Sequence, residues 1–262
     1  DTITTKEDLD RQQPGLPVLG LIPAMPGRLA TTAPVAAKHP HSSAAEAYRS
    51  LRTSVQFLAL DEPVKVVQVT SPRTAEGKTT TVANLALTLA AAGQKVIVVD
   101  CDLRRPRLHE LLGSQNKVGF TSVLTGQTPI SAALQPVANH EHLFLLSSGE
   151  RPPNPAELLS SPRTSEILLA VRRMADIVLV DCPPVLPVTD SVLISAQVDT
   201  MLVVVSSGLT SAKDLSRALE VLAQVDAPVS GVVLNAVPVN AGYRYSYSYT
   251  PDPKHLRPAE RT

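Results

Sequence analysis

Val64-Lys65-Val66-Val67-Gln68-Val69-Thr70-Ser71-Pro72-Arg73-Thr74-Ala75-Glu76-Gly77-Lys78-Thr79-Thr80 is the stretch that decides the fold. Its apolar run predicts a strand over 64–70, covered on both faces. From Gly77 the chain turns Ala/Leu-rich and predicts a helix over 77–92, ended by Gly93. Strand, loop and helix in this order let backbone N–H groups and the positive end of a helix cradle phosphates. The full pattern is G-x-x-x-x-G-K-[ST], and here Pro72 stands at the first glycine. Gly77 lets the backbone approach the phosphates, Lys78 neutralises the β- and γ-phosphates, and the Thr79 hydroxyl ligates Mg²⁺. Arg73, Ala75, Glu76 and Thr80 complete the expected nucleotide-binding loop. The plainer alternative is a chance Gly-Lys-Thr at a helix start, and the flanking elements weigh against it.

Downstream, apolar runs at 95–100, 143–146, 176–181, 200–206 and 229–234 predict further strands, with helices over about 164–174 and 212–225. The runs are continuous rather than alternating. They predict an α/β fold, doubly wound, with a mostly parallel sheet and helices on both faces. Two strands run into aspartates, Val96-Ile97-Val98-Val99-Asp100-Cys101-Asp102 and Ile177-Val178-Leu179-Val180-Asp181. The carboxyl ends of such strands form the ligand edge. Asp181 is therefore expected to partner Mg²⁺-bound water. Asp100 and Asp102 are expected to touch the metal and to take a proton from an incoming nucleophile, as a phenol with a pKa of about 10 would require. Asp102 capping a following turn is the alternative. The expected catalytic set is thus Lys78, Asp100, Asp102 and Asp181, and the expected metal ligands are Thr79, Asp100 and Asp181. Arg104, Arg105 and Arg107 stay open between a phosphate, an acidic neighbour and water.

Residues 1–60 read as an amino-terminal arm, 61–240 as the nucleotide-binding domain and 241–262 as a tail. Within the arm, Leu16 to Pro23 is apolar and reads as a strand or a docking segment. Pro26 to Ser43 reads as a linker. Ser43 to about Leu60 predicts a helix with Ala47, Leu51, Val55 and Leu58 on one face. Glu46, Arg49 and Arg52, three apart, either pair within that helix or meet another subunit, and their spacing alone does not choose. Four of the five tyrosines, Tyr243, Tyr245, Tyr247 and Tyr249, lie within seven residues of the tail. About nine residues separate Leu234 from Tyr243 and span at most about 30 Å, enough to reach an adjacent subunit. A phosphoryl-donor site and a cluster of phenolic acceptors together suggest a kinase that modifies its own kind.

Composition narrows the alternatives. Twenty-four basic and 24 acidic residues cancel, so overall charge gives no argument for nucleic acid or a membrane surface. Two cysteines, each after an aspartate, make no disulfide framework and fit a reducing compartment. No run of 18 apolar residues occurs, so no spanning helix is expected. The chain begins with Asp and reads as part of a longer protein.

Thr70-Ser71-Pro72…Gly77-Lys78-Thr79-Thr80, Val98-Val99-Asp100-Cys101-Asp102-Leu103-Arg104-Arg105-Pro106 and Val178-Leu179-Val180-Asp181-Cys182-Pro183-Pro184 together resemble the bacterial tyrosine kinases (BY-kinases). Pro153-Asn154-Pro155-Ala156-Glu157-Leu158-Leu159, Thr189-Asp190 and the E-x-x-R-x-x-R signature at Glu46, Arg49 and Arg52 match the same pattern. The resemblance implies a P-loop NTPase-like fold, ATP and Mg²⁺, and a tyrosine cluster phosphorylated by neighbouring subunits of a ring-like homo-oligomer. It also implies a membrane anchor, a place at the cytoplasmic face of a bacterial membrane, and a role in capsule or exopolysaccharide synthesis and export. Arg73 falls where related partitioning-type ATPases place a signature lysine. Asn235 falls where superfamily relatives contact adenine, or else it satisfies a loop backbone. A partitioning-type ATPase switch without kinase activity is the competing reading, and neither the tyrosine tail nor Asp100 with Asp102 serves it.

Overall fold

A computed structural model describes residues 2–25, 33–58 and 64–238. Eight strands form one sheet. They are β1 (Val18–Pro23), β2 (Val66–Thr70), β3 (Val96–Asp100), β4 (Gln135–Pro136), β5 (Leu143–Leu146), β6 (Ile177–Asp181), β7 (Thr200–Ser206) and β8 (Val229–Val237), in the spatial order β1-β8-β7-β2-β6-β3-β5-β4. Every neighbouring pair is parallel except β4 with β5. The mostly parallel, doubly wound sheet is therefore present. Successive residues of a strand point to opposite faces, and here both faces are apolar. Val67, Val69, Leu179, Leu202, Val204 and Val233 pack to one side. Val66, Val178, Val180, Ile97 and Val99 pack to the other, as do Met201, Val203, Val205, Val232 and Leu234.

Helix α1 (Lys6–Gln12) precedes β1, and α2 (Val35–Lys38) and α3 (Ser43–Leu58) follow it. The stretch at 16–23, open between strand and docking segment, forms the parallel edge strand β1 against β8. Helix α3 buries Ala44, Ala45, Ala47, Tyr48, Leu51 and Val55. Together with α4 (Lys78–Ala91) it belongs to the cluster on the first face. The Leu51 side chain lies 3.2 Å from where a Cβ on Gly20 would stand, so α3 sits close on β1. Leu51→Ala is expected to cost roughly 2–5 kcal/mol by leaving a cavity. Urea unfolding should show a lower midpoint with an unchanged slope.

The mixed region after β3 holds short helices that periodicity does not reveal: α5 (Leu108–Leu111), α6 (Phe120–Leu124) and α7 (Ile130–Ala133). Then come α8 (Pro155–Leu159), α9 (Pro162–Met174), α10 (Asp190–Ser195) and α11 (Ala212–Ala223). Parallel pairing brings the carboxyl ends of β2, β3, β6, β7 and β8 to one edge, which is where the phosphate loop begins.

Candidate active site

Leaving β2, the chain turns through Ala75 (φ 66°) and Gly77 (φ 93°) before entering α4. Lys78 is the first residue of that helix, and the Thr81 N–H closes onto the Gly77 carbonyl at 2.8 Å. Beside the loop, Asp100 and Asp181 pair in register at the ends of β3 and β6. Lys78 Nζ lies 2.8 Å from Asp102 Oδ2, 3.3 Å from Asp181 Oδ1 and 3.2 Å from Thr79 Oγ1. The structure therefore brings Lys78, Thr79, Asp102 and Asp181 together.

Asp100 joins them by position, but both of its oxygens accept backbone N–H groups, from Asp102 at 3.1 Å and Leu108 at 3.3 Å. Asp102 has two occupations: Oδ2 meets Lys78, and Oδ1 caps the following turn at the Arg105 N–H, 3.0 Å away. The turn-capping alternative and the site role thus coexist. Burial pushes the Asp100 carboxyl well above its ordinary range, and Asp181 pushes it further while Lys78 pulls it back. Burial likewise raises Asp181, against Lys78. For Lys78, burial works against the charge, but Asp181 and Asp102 outweigh it and hold the ammonium protonated.

The donor set suits a hard cation. Asp181 Oδ2 is buried without a hydrogen-bond partner. A carboxylate and a threonine hydroxyl are oxygen ligands of the kind Mg²⁺ takes in ones and twos, with phosphates and water supplying the rest. Among the described residues no group of three or more His, Cys, Asp and Glu forms a ready cage. Thr79 and Asp181 fit a metal that arrives with a nucleotide.

Other expected residues have definite partners. Arg73 makes a two-pronged pair with Asp214 at 2.7 and 2.8 Å. Glu76 is buried. Asn235 Nδ2 donates to the Glu76 carbonyl at 2.9 Å, a contact with the loop backbone. The Thr80 carbonyl accepts from Asn84 Nδ2 at 2.8 Å. Arg104 chooses an acidic neighbour: it grips the fully buried Asp190 at 2.8 and 3.0 Å, tying the loop after β3 to α10. Asp190 was expected only as part of the family pattern, without a site role, and Thr210, which touches Glu76, was not expected at all. Thr189-Asp190 ahead of an apolar run was the available signal for the first. Nothing local marks Thr210.

On α3, Glu46 and Arg49 pair with each other at 2.6 Å, while Arg52 donates to the Thr88 carbonyl at 3.2 Å. Tyr243, Tyr245, Tyr247 and Tyr249 lie outside the described residues. Cys101 and Cys182 are free and buried beside the aspartates.

Comparison with known proteins is consistent with this geometry. A family model described as an AAA domain matches residues 64–230. The tyrosine-protein kinase YwqD of Bacillus subtilis is 38% identical over 218 residues, covering 83% of this chain and 92% of YwqD. The tyrosine-protein kinase wzc of Salmonella typhi is 36% identical over 227 residues, covering 84% of this chain but 31% of the wzc chain. The solved kinase domain of the Escherichia coli tyrosine kinase ETK superposes with a TM-score of 0.81 at 33% identity, over 90% of this chain and 96% of that one. The parallel sheet with its phosphate loop between β2 and α4 is a P-loop, ATPase-like architecture, a fold suited to nucleotide phosphates and their metal. With its phosphate-loop lysine held between Asp102 just past β3 and Asp181 at the end of β6, and similar to these kinases over most of its length, this chain belongs to the bacterial tyrosine kinase family and is a protein-tyrosine kinase domain of it.

Proposed function

We propose that this chain is an ATP- and Mg²⁺-dependent tyrosine autokinase that phosphorylates Tyr243, Tyr245, Tyr247 and Tyr249 of a neighbouring copy. The observation that carries the reading is the Lys78 ammonium held between Asp102 and Asp181 at the amino end of α4. Bound Mg-ATP would supply the transferable phosphoryl group and a cation against its charge. Lys78 would then leave the two carboxylates for the phosphates. That movement frees Asp102 Oδ2 to accept the phenol proton, while Oδ1 stays fixed by the Arg105 N–H. Thr79 and Asp181 would hold the metal directly or through water, with Asp100 behind them.

Glu46, Arg49 and Arg52 would exchange their present contacts for partners on a second copy, closing a ring-like homo-oligomer. The family resemblance supports a setting in capsule or exopolysaccharide synthesis and export, at the cytoplasmic face of a bacterial membrane. Among the described residues no helix is long and apolar enough to cross a membrane.

The test is a mixture of two proteins: one cut before Tyr243 with an intact loop, the other tail-bearing with Lys78→Met. Phosphotyrosine should appear on the second. If none transfers while the first hydrolyses ATP, the chain is a nucleotide switch instead. Each added phosphate brings about −1.5 to −2 charges, so a fully modified cluster gains roughly −6 to −8. Light scattering should therefore show a smaller particle after exhaustive phosphorylation. The same mass before and after would remove the assembly-switch part of the reading.

A further inference from the structure

Glu76 lies in the phosphate loop, yet its side chain is engaged elsewhere. It is 1% exposed. Oε1 accepts from the Thr210 hydroxyl at 2.5 Å, and Oε2 accepts from the Arg73 N–H at 2.8 Å. Its carbonyl oxygen accepts from Asn235 Nδ2 at 2.9 Å. Thr210, 1% exposed, is itself fixed by the Ser206 N–H at 2.9 Å. One loop residue is thereby fastened to the turn after β7 and to the carboxyl-terminal part of β8. Burying an acid is costly unless its hydrogen bonds are met, and in this loop conformation these bonds meet it.

We propose that Glu76 is a positioning residue which, through Thr210, holds residues 73–77 in the shape that receives phosphates and makes nucleotide affinity depend on pH. This rests on the nucleotide reading above. Burial pushes the Glu76 carboxyl up to about 7, against hydrogen bonds from Thr210, the Arg73 N–H and Ser71, while Asp214 adds to the rise. The charged groups that act on it are Arg73 on its own loop and Asp214 on α11, which pair with each other, Asp214 still pushing the carboxyl up. The turn after β7 and the part of β8 that touch it present Thr210 and Asn235, neither of which titrates.

The direction follows from linkage. A carboxyl whose folded pKa lies above its ordinary 4.5 favours the fold when protonated, and that stability is lost as pH rises from 4.5 through about 7. Arriving phosphates add negative charge and favour the neutral form. Nucleotide binding should therefore draw a proton onto Glu76.

The experiment uses the full chain and a fluorescent ATP analogue with Mg²⁺. Thr210→Val should weaken binding about 10-fold by unpairing one carboxylate oxygen, and Thr210→Ser should restore it to within about 2-fold. KM for ATP should move more than kcat. Wild-type affinity should fall from pH 6 to pH 8, and Glu76→Gln, which keeps the size but not the charge, should flatten that fall. Without nucleotide, wild type should melt progressively lower relative to Glu76→Gln as pH rises from 5 to 8. Unchanged affinity in Thr210→Val, no rescue by serine, or parallel melting profiles would each overturn the proposal. If the analogue binds no variant and not the wild type, the nucleotide reading fails, and the melting profiles still decide the role of Glu76.

Discussion

Lys78→Met should abolish tyrosine phosphorylation, by at least about 10³-fold, because phosphoryl transfer is accelerated almost wholly by positioning and by charge placed against the phosphates. The same substitution should also destabilise the protein in the absence of any nucleotide. Lys78 Nζ is the cation between Asp102 at 2.8 Å and Asp181 at 3.3 Å, and the side chains of both carboxylates are almost fully buried. Removing one partner of a buried pair costs roughly 3–5 kcal/mol, since a charge is left without compensation.

The effect of Lys78 depends on pH with a definite sign. In wild type the lysine's folded pKa lies above its ordinary value, so its contribution is present throughout the neutral range and disappears only as pH climbs through that raised value. In Lys78→Met the bare carboxylates can be relieved only by protonation. The melting difference from wild type should therefore be larger at pH 8 than at pH 5. A difference constant across that range would mean that the pair contributes little and that Lys78 serves the nucleotide alone.

What sequence could and could not convey follows from how local each cause is. The strands at 143–146 and 200–206 have the predicted bounds because an uninterrupted apolar run is a local signal. The loop, with Gly77, Lys78 and Thr79 between strand and helix, was legible for the same reason. The order β1-β8-β7-β2-β6-β3-β5-β4 was not, since neighbours such as β1 and β8 are some 200 residues apart and pair through burial rather than pattern. Helices of four or five residues, such as Leu108–Leu111, are too short to show a period. The charged residues divide the same way. Asp100 and Asp181 are marked by the strands they end, whereas Asp190 matters because Arg104, 86 positions earlier, reaches it. Glu76 reads in sequence as part of the nucleotide-binding loop, and only the fold shows that its side chain turns to Thr210 in the turn after β7.

Gly77→Ala should disable nucleotide binding and destabilise the fold by a route that a second substitution can dissect. Gly77 has φ 93°, where a Cβ costs about 1–2 kcal/mol. That Cβ would also stand 2.1 Å from Asn235 Nδ2, so the amide must swing away and release the Glu76 carbonyl. The lost hydrogen bond is worth about 0.5–1.5 kcal/mol, for a total of roughly 1.5–3.5 kcal/mol. Asn235→Ala alone loses the hydrogen bond but adds no strain. In the double variant the bond is absent once rather than twice. The two single effects should therefore exceed the double by about 1 kcal/mol in urea unfolding, whereas independent sites would add. Nucleotide affinity should follow the backbone rather than the clash. Gly77→Ala should lose about 100-fold or more, because the N–H groups at 77–79 no longer converge on the phosphates, and Asn235→Ala should not restore it. Recovery in the double variant would show instead that the loop tolerates a side chain at 77, and that Asn235 alone sets its position.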